Sequence, residues 1–254
     1  MDLSSSQRFS NRVADYVRYR PGYPPQLMRW IHGRLGVPAS ARVADIGAGT
    51  GISSRMFLQA GHPVIAVEPN AAMRAAAEQW LGGETGFRAV DGSAEATGLA
   101  EASVDVVAAA QAFHWFDTRA VRHEWARILR PGGLAVVFWN SRLLEATPFL
   151  AGYEALLREY GTDYSAVAER YQDDDTMRAW FGAGFVDAAS FPNVQRMDFN
   201  ALRGRLLSSS YAPAEGHPRH APMLLALQAL FDRHAVEGHV EFAYQTRAFA
   251  GNLN

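Results

Sequence analysis

Between residues 42 and 140 the chain alternates short apolar runs with longer stretches whose apolar residues recur every three or four positions. The runs Arg42–Ile46, Val64–Glu68, Phe87–Val90, Val104–Ala110 and Leu134–Trp139 read as strands. Val104–Ala110 is almost uninterrupted, as a central parallel strand buried on both faces should be. The stretches between them read as helices. One holds Met56, Phe57 and Leu58. A second runs Ala71–Leu81 behind the N-cap Asn70, and a third runs from Asp117 or Thr118 to Leu129. Arg130-Pro131-Gly132-Gly133 is expected to break that last helix. Strand and helix alternate with no short hairpin signal, which predicts a doubly wound parallel sheet with right-handed crossovers.

The flanks carry a different rhythm. Phe9, Val13, Tyr16, Val17 and Tyr19 predict an amphipathic helix within 7–23 that stops before Pro21-Gly22. Pro24-Pro25 opens another, with Leu27, Ile31 and Leu35 on one face and Gly36-Val37-Pro38 at its end. After residue 140, the stretch 145–184 reads as helical. Ala188–Asp198 reads as a strand, Ala201–Leu207 and Pro222–His234 as helices, and His239–Ala250 as a final alternating strand. The expected organisation is one domain over 1–254. It has lid helices in 1–36, a ligand-binding core in 37–140, a helical insertion in 141–187 and a strand–helix–strand close in 188–254. The last two strands suit an antiparallel pair at the sheet edge. The insertion is the natural place for ligand choice, because scaffolds vary function in their loops.

Composition narrows the classes. The 254 residues carry a net charge of −2, and every one of the 24 basic residues is an arginine. These are scattered, without the basic face a nucleic-acid partner requires. The longest apolar run, Val104–Phe116, is interrupted by Asp105, Gln111 and His114, so no membrane span is expected. The sequence has no cysteine, which excludes disulfides, thiolate metal sites and a cysteine nucleophile and fits a cytoplasmic setting. Met1–Ser6 shows no apolar signal core. The run Asp173-Asp174-Asp175 has no histidine beside it; it reads as a helix N-terminal charge cluster, and no metal is expected.

The chemistry sits in Val43-Ala44-Asp45-Ile46-Gly47-Ala48-Gly49-Thr50-Gly51, a strand that ends in an acid and enters a turn with glycines at alternate positions. Such a turn lets backbone approach a ligand where a Cβ would clash. A dinucleotide turn, G-x-G-x-x-G, would place a third glycine at position 52, which is Ile. Asp45 would also repel a pyrophosphate and attract an ammonium. An acid with G-x-G-x-G therefore favours a ligand that joins a cationic amino acid to a ribose. S-adenosylmethionine has both. The motif resembles the first motif of class I S-adenosylmethionine-dependent methyltransferases. Val64-Ile65-Ala66-Val67-Glu68-Pro69, Gly92-Ser93-Ala94-Glu95 and Leu129-Arg130-Pro131-Gly132-Gly133-Leu134 resemble later signatures of that family in order. Tyr19-Arg20-Pro21-Gly22-Tyr23-Pro24 and Gln111-Ala112-Phe113-His114-Trp115-Phe116 are similar to the type 11 small-molecule branch, in its trans-aconitate-methyltransferase-like group. The resemblance covers residues 8–140 well and the remainder weakly.

The resemblance implies an α/β, Rossmann-like fold: a mostly parallel, doubly wound seven-stranded sheet with an antiparallel edge strand. It implies S-adenosyl-L-methionine as cofactor and a small-molecule methyl acceptor, methylated at oxygen of a carboxylate or hydroxyl. Gly47 and Gly49 admit the cofactor, Asp45 meets its amino group, and Glu68 accepts from both ribose hydroxyls. Pro69 and Met73 wall the adenine, Ser93 and Ala94 recognise its edge, and Asp91 or Glu95 stands in for the acid many relatives carry at Ser93. Gln111, Trp115 and Phe116 lie at the carboxyl edge of the sheet, where a ring facing the sulfonium gains cation–π attraction. His114 has the pKa range of a general base. Tyr16, Tyr19 and Arg20 form the lid, with Arg20 toward a carboxylate. Trp139 and Asn140 edge the acceptor pocket. Two alternatives stay open, a nicotinamide-dependent oxidoreductase and a non-catalytic relative of the fold.

Overall fold

The computed structural model describes residues 19–164 and 174–253. Seven strands form one sheet in the order β3-β2-β1-β4-β5-β7-β6. They are β1 Val43–Ile46, β2 Val64–Val67, β3 Phe87–Val90, β4 Val104–Ala110, β5 Leu129–Arg142, β6 Phe185–Met197 and β7 Val240–Gly251. β1 through β5 run parallel; β7 is antiparallel to both β5 and β6. The expected closing pair is present, with β7 inside and β6 outermost.

The helices are α1 Pro25–Arg29, α2 Ile52–Gln59, α3 Ala71–Leu81, α4 Thr118–Ile128, α5 Pro148–Tyr160, α6 Asp174–Phe181, α7 Phe199–Leu207 and α8 His220–His234. α1 continues into a π-helical turn, Trp30–Arg34. Two caps match the sequence reading. Asn70 Oδ1 accepts the Ala72 and Met73 N–H groups, and Asp117 Oδ1 accepts those of Arg119 and Ala120. Each satisfies donors that a helix start leaves unpaired.

The period of two along β1 feeds two cores. Val43 packs with Leu27, Ile31 and Phe57 on one face, while Ala44 and Ile46 pack with Val121, Trp125 and Ile128 on the other. Both faces are apolar, as a sheet covered by helices requires. A third core lies beyond the parallel strands, where α5, α7 and α8 close over Val240, Phe242 and Tyr244 of β7.

The largest boundary difference is at the start of β5. Arg130-Pro131-Gly132-Gly133 does not lie outside the strand; β5 begins at Leu129 and carries these residues as an irregularity. Val104 pairs with Leu129 but Val106 with Leu134, so the extra residues bulge out of the register. Gly132, at φ +79°, makes the left-handed step. The expected helix within 7–23 falls outside the described residues up to position 18, as do Tyr16 and Asp173. Asp174 and Asp175 occupy the first turn of α6, and Asp174 pairs with Arg247 of β7.

Candidate functional site

A cavity of about 450 Å³ opens at the carboxyl ends of β1, β2, β4 and β5, where doubly wound sheets bind ligands. The glycine turn forms its floor. Gly47, Gly49 and Gly51 have φ of +66°, +58° and +91°, a region that side-chain-bearing residues rarely adopt. The three glycines do different work. A Cβ on Gly47 would lie 2.8 Å from Ala112 Cβ and 3.0 Å from Phe116 Cζ, so this glycine lets the loop after β4 close in. A Cβ on Gly51 would lie 2.7 Å from Leu81 Cδ1, so this one lets α2 meet α3. Only Gly49 lines the cavity with nothing nearer than Met73 Sδ at 3.8 Å.

Glu68 follows β2 and is 7% exposed. Its Oε2 accepts the Gly49 N–H (2.9 Å) and its Oε1 the Asn70 N–H (2.8 Å). One carboxylate thus ties the glycine turn to the start of α3, and each oxygen keeps a further lone pair toward the cavity. Burial pushes its pKa up, against the two N–H bonds and Arg74.

Asp45 is fully buried beneath the turn and does not line the cavity. Ser53 and Ser54 hydroxyls donate to its Oδ2 at 2.7 and 2.6 Å, while Oδ1 is buried with no partner. Burial pushes its pKa up to about 6, the two serine bonds oppose this, and the Glu68 charge adds to it. A cationic group reaching the turn, directly or through water, would satisfy that oxygen.

Pro69, Met73, Ser93, Ala94 and Glu95 line one wall. The Ser93 hydroxyl accepts the Ala96 N–H (3.1 Å) and Glu95 Oε1 that of Asp117 (3.2 Å). Asp91 lies off the wall, exposed and paired with Arg74. Gln111, His114, Trp115 and Phe116 line the cavity through the turn after β4. Gln111 takes a left-handed φ of +58°, and its Oε1 accepts the Asn140 N–H (2.9 Å).

Two expected positions move. The Tyr19 ring packs against Gly204 of α7 rather than lining the cavity. Trp139 is core, stacked on Phe249 at 5.3 Å. Asn140, its neighbour, does line the cavity; its side chain holds Gly22 O at 3.1 Å and accepts from Thr246 at 2.6 Å. Arg20 lines the cavity too, and its Nη2 donates to Ser208 O at 3.1 Å.

The far end draws on the segments after residue 140, where ligand choice was expected, but its individual residues were not singled out from the sequence. Arg142, Tyr164, Arg205, Tyr211 and Tyr244 line it. One signal was available: Arg205 shares a helix face with the buried Leu202 and Leu206, and a charge on an apolar face asks for a partner.

The comparisons agree with this geometry. Residues 44–137 match the family model described as a methyltransferase domain. An uncharacterized methyltransferase of Mycobacterium tuberculosis is 41% identical over 146 residues, 56% of this chain and 54% of the relative. The chain therefore spans about half the length of that relative. A methyltransferase-like protein of Schizosaccharomyces pombe, also uncharacterized, is 28% identical over 251 residues, 95% of this chain and 94% of its own. A solved structure from Anaeromyxobacter dehalogenans, assigned as a type II methyltransferase, superposes with a TM-score of 0.69 at 25% identity and covers 92% of this chain and 98% of its own. Strand order, glycine turn and strand-end acids agree with that match to a methyltransferase domain over residues 44–137.

Proposed function

We propose that this protein transfers the methyl group of S-adenosyl-L-methionine to a small molecule, at oxygen of a carboxylate or hydroxyl. The observation that carries the reading is the Gly49–Glu68 pairing beneath an open cavity wall. S-adenosylmethionine supplies, when bound, a methyl group activated by its sulfonium. Gly49 leaves room for it, Glu68 has lone pairs for two ribose hydroxyls, and the Asp45 charge beneath the turn would attract its ammonium. Pro69, Met73 and Ala94 offer an apolar wall for the base. Trp115 and Phe116 offer ring faces, which favour a cation by about 0.5–2 kcal/mol.

With the donor already activated, the chain's own task is alignment and exclusion of water. A carboxylate acceptor needs no base. A hydroxyl acceptor would give its proton to His114, which lines the cavity after β4. We assign the cofactor half to 37–140 and the acceptor half to the lid, the insertion and the closing strands. A screen of small molecules with a labelled methyl donor tests the proposal, run on wild type and His114→Ala. Label should appear in one acceptor class. Full turnover by the variant removes His114 from the chemistry, and label in no molecule overturns the activity.

A further inference from the structure

We infer that the far end of the cavity is an anion subsite, in which Arg142 and Arg205 hold a carboxylate or phosphate borne by the methyl acceptor. The inference rests on the methyltransferase reading and names the acceptor class for that same site.

Arg205 is 7% exposed, yet it makes no ion pair among the described residues. Its Nε donates to the Tyr244 hydroxyl (3.3 Å) and its Nη1 to the Ser209 hydroxyl (3.1 Å), both neutral acceptors. The Arg142 side chain is 11% exposed. Its Nη2 donates to Glu154 and to the Tyr164 hydroxyl, while Nη1 is buried with no partner. Glu154 also accepts from Arg158 at 3.0 Å, so its single charge is divided between two cations. Arg20 adds a third guanidinium to the same wall. One shared carboxylate does not neutralise Arg142 and Arg205 together.

A buried cation without a counter-charge is costly, and protein interiors retain one only where something answers it. The planar guanidinium fork matches carboxylate and phosphate oxygens two at a time. The field is visible on Tyr211. Burial pushes this phenol up, but Arg205, Arg20 and Arg142 outweigh it and hold the pKa below the ordinary tyrosine value. The cavity is thus polarised end to end. Acids, Glu68 with Asp45 beneath, serve the cofactor's hydroxyls and ammonium; guanidiniums face the acceptor.

The test is calorimetric. Succinate, benzoate and phenyl phosphate are titrated into wild type, with and without saturating S-adenosylhomocysteine, beside the neutral succinamide and benzamide. At least one acid should bind about tenfold tighter than its amide or better, the scale of one charge-assisted contact; phenyl phosphate against benzoate separates phosphate from carboxylate. Arg205→Met should lose about tenfold in acid affinity and keep its S-adenosylhomocysteine affinity, while Arg205→Lys should recover part of the loss. The wild-type comparison stands even if Arg205→Met fails to fold. Amides binding as well as acids, no acid binding in either form, or a folded Arg205→Met that binds acid like wild type would each overturn the subsite. Loss of S-adenosylhomocysteine binding by wild type would overturn the cofactor reading instead.

Discussion

At the scale of the residue, the site is a set of backbone groups and carboxylates that hold one another before any ligand arrives. Glu68 spends one lone pair on the Gly49 N–H and one on the Asn70 N–H. Glu68→Gln keeps the shape but turns one acceptor into a donor facing an N–H. It should weaken S-adenosylhomocysteine binding by about 1.5–3 kcal/mol, the scale of a hydrogen bond to a charged group, as calorimetry will read. Asp45 gives a pH dependence. Its carboxyl in the fold is held near 6, above the ordinary 3.8. The fold therefore keeps this proton more firmly than the unfolded chain does, and stability from this group falls as pH rises from 3.8 through about 6. A ligand ammonium prefers the ionised form. Affinity for S-adenosylhomocysteine should decline as pH drops below about 6 in wild type and stay flatter in Asp45→Asn, measured by titration at several pH values. The meeting of Gly49 with Glu68 above the buried Asp45 draws on residues that were legible in the sequence, because each belongs to a short local motif. Arg142 and Arg205 were not, because they line one cavity end only after α7 and β5 have packed.

At the scale of the element, local signals placed the helices and parallel strands closely. Ala71–Leu81 and Val104–Ala110 are found as read, since Asn70 caps the first and continuous burial marks the second. The failure at Arg130–Gly133 has a physical reason. Pro and Gly mark a break in local pattern, but a parallel edge to β4 absorbs them as a bulge and lets β5 run on. Tyr19 is another such case. Its aromatic stripe was readable, whereas its seat is the missing side chain of Gly204, a long-range fit that no local pattern shows. The alternating glycines carry the element-level prediction. Gly51 joins α2 to α3 rather than touching the cavity, and Leu81, which its Cβ would strike, is fully buried. Gly51→Ala should cost about 1–3 kcal/mol of stability through overpacking and a left-handed φ, read by urea unfolding. An unchanged midpoint would contradict that division of labour.

At the scale of the whole molecule, the sheet brings two unlike halves to one cavity. The half built from β1 to β5 matches the methyltransferase domain model over 44–137, and there motif and fold reinforce each other. The half built from α5, α7, α8 and β7 has its own core and supplies the far wall. Arg142 at the end of β5 and Arg205 of α7 lie more than sixty positions apart in the chain, so sequence spacing could not assemble this wall. Among the described residues no helix is long and apolar enough to cross a membrane. The most direct test of the account is calorimetric titration of S-adenosylhomocysteine and of NAD into wild type and Gly49→Val. Wild type should bind one S-adenosylhomocysteine and no NAD. The valine, whose side chain would fill the open floor at a φ of +58°, should lower affinity by a hundredfold or more, about 2.7 kcal/mol. Binding of NAD in preference, or a folded Gly49→Val that binds S-adenosylhomocysteine as wild type does, would contradict it.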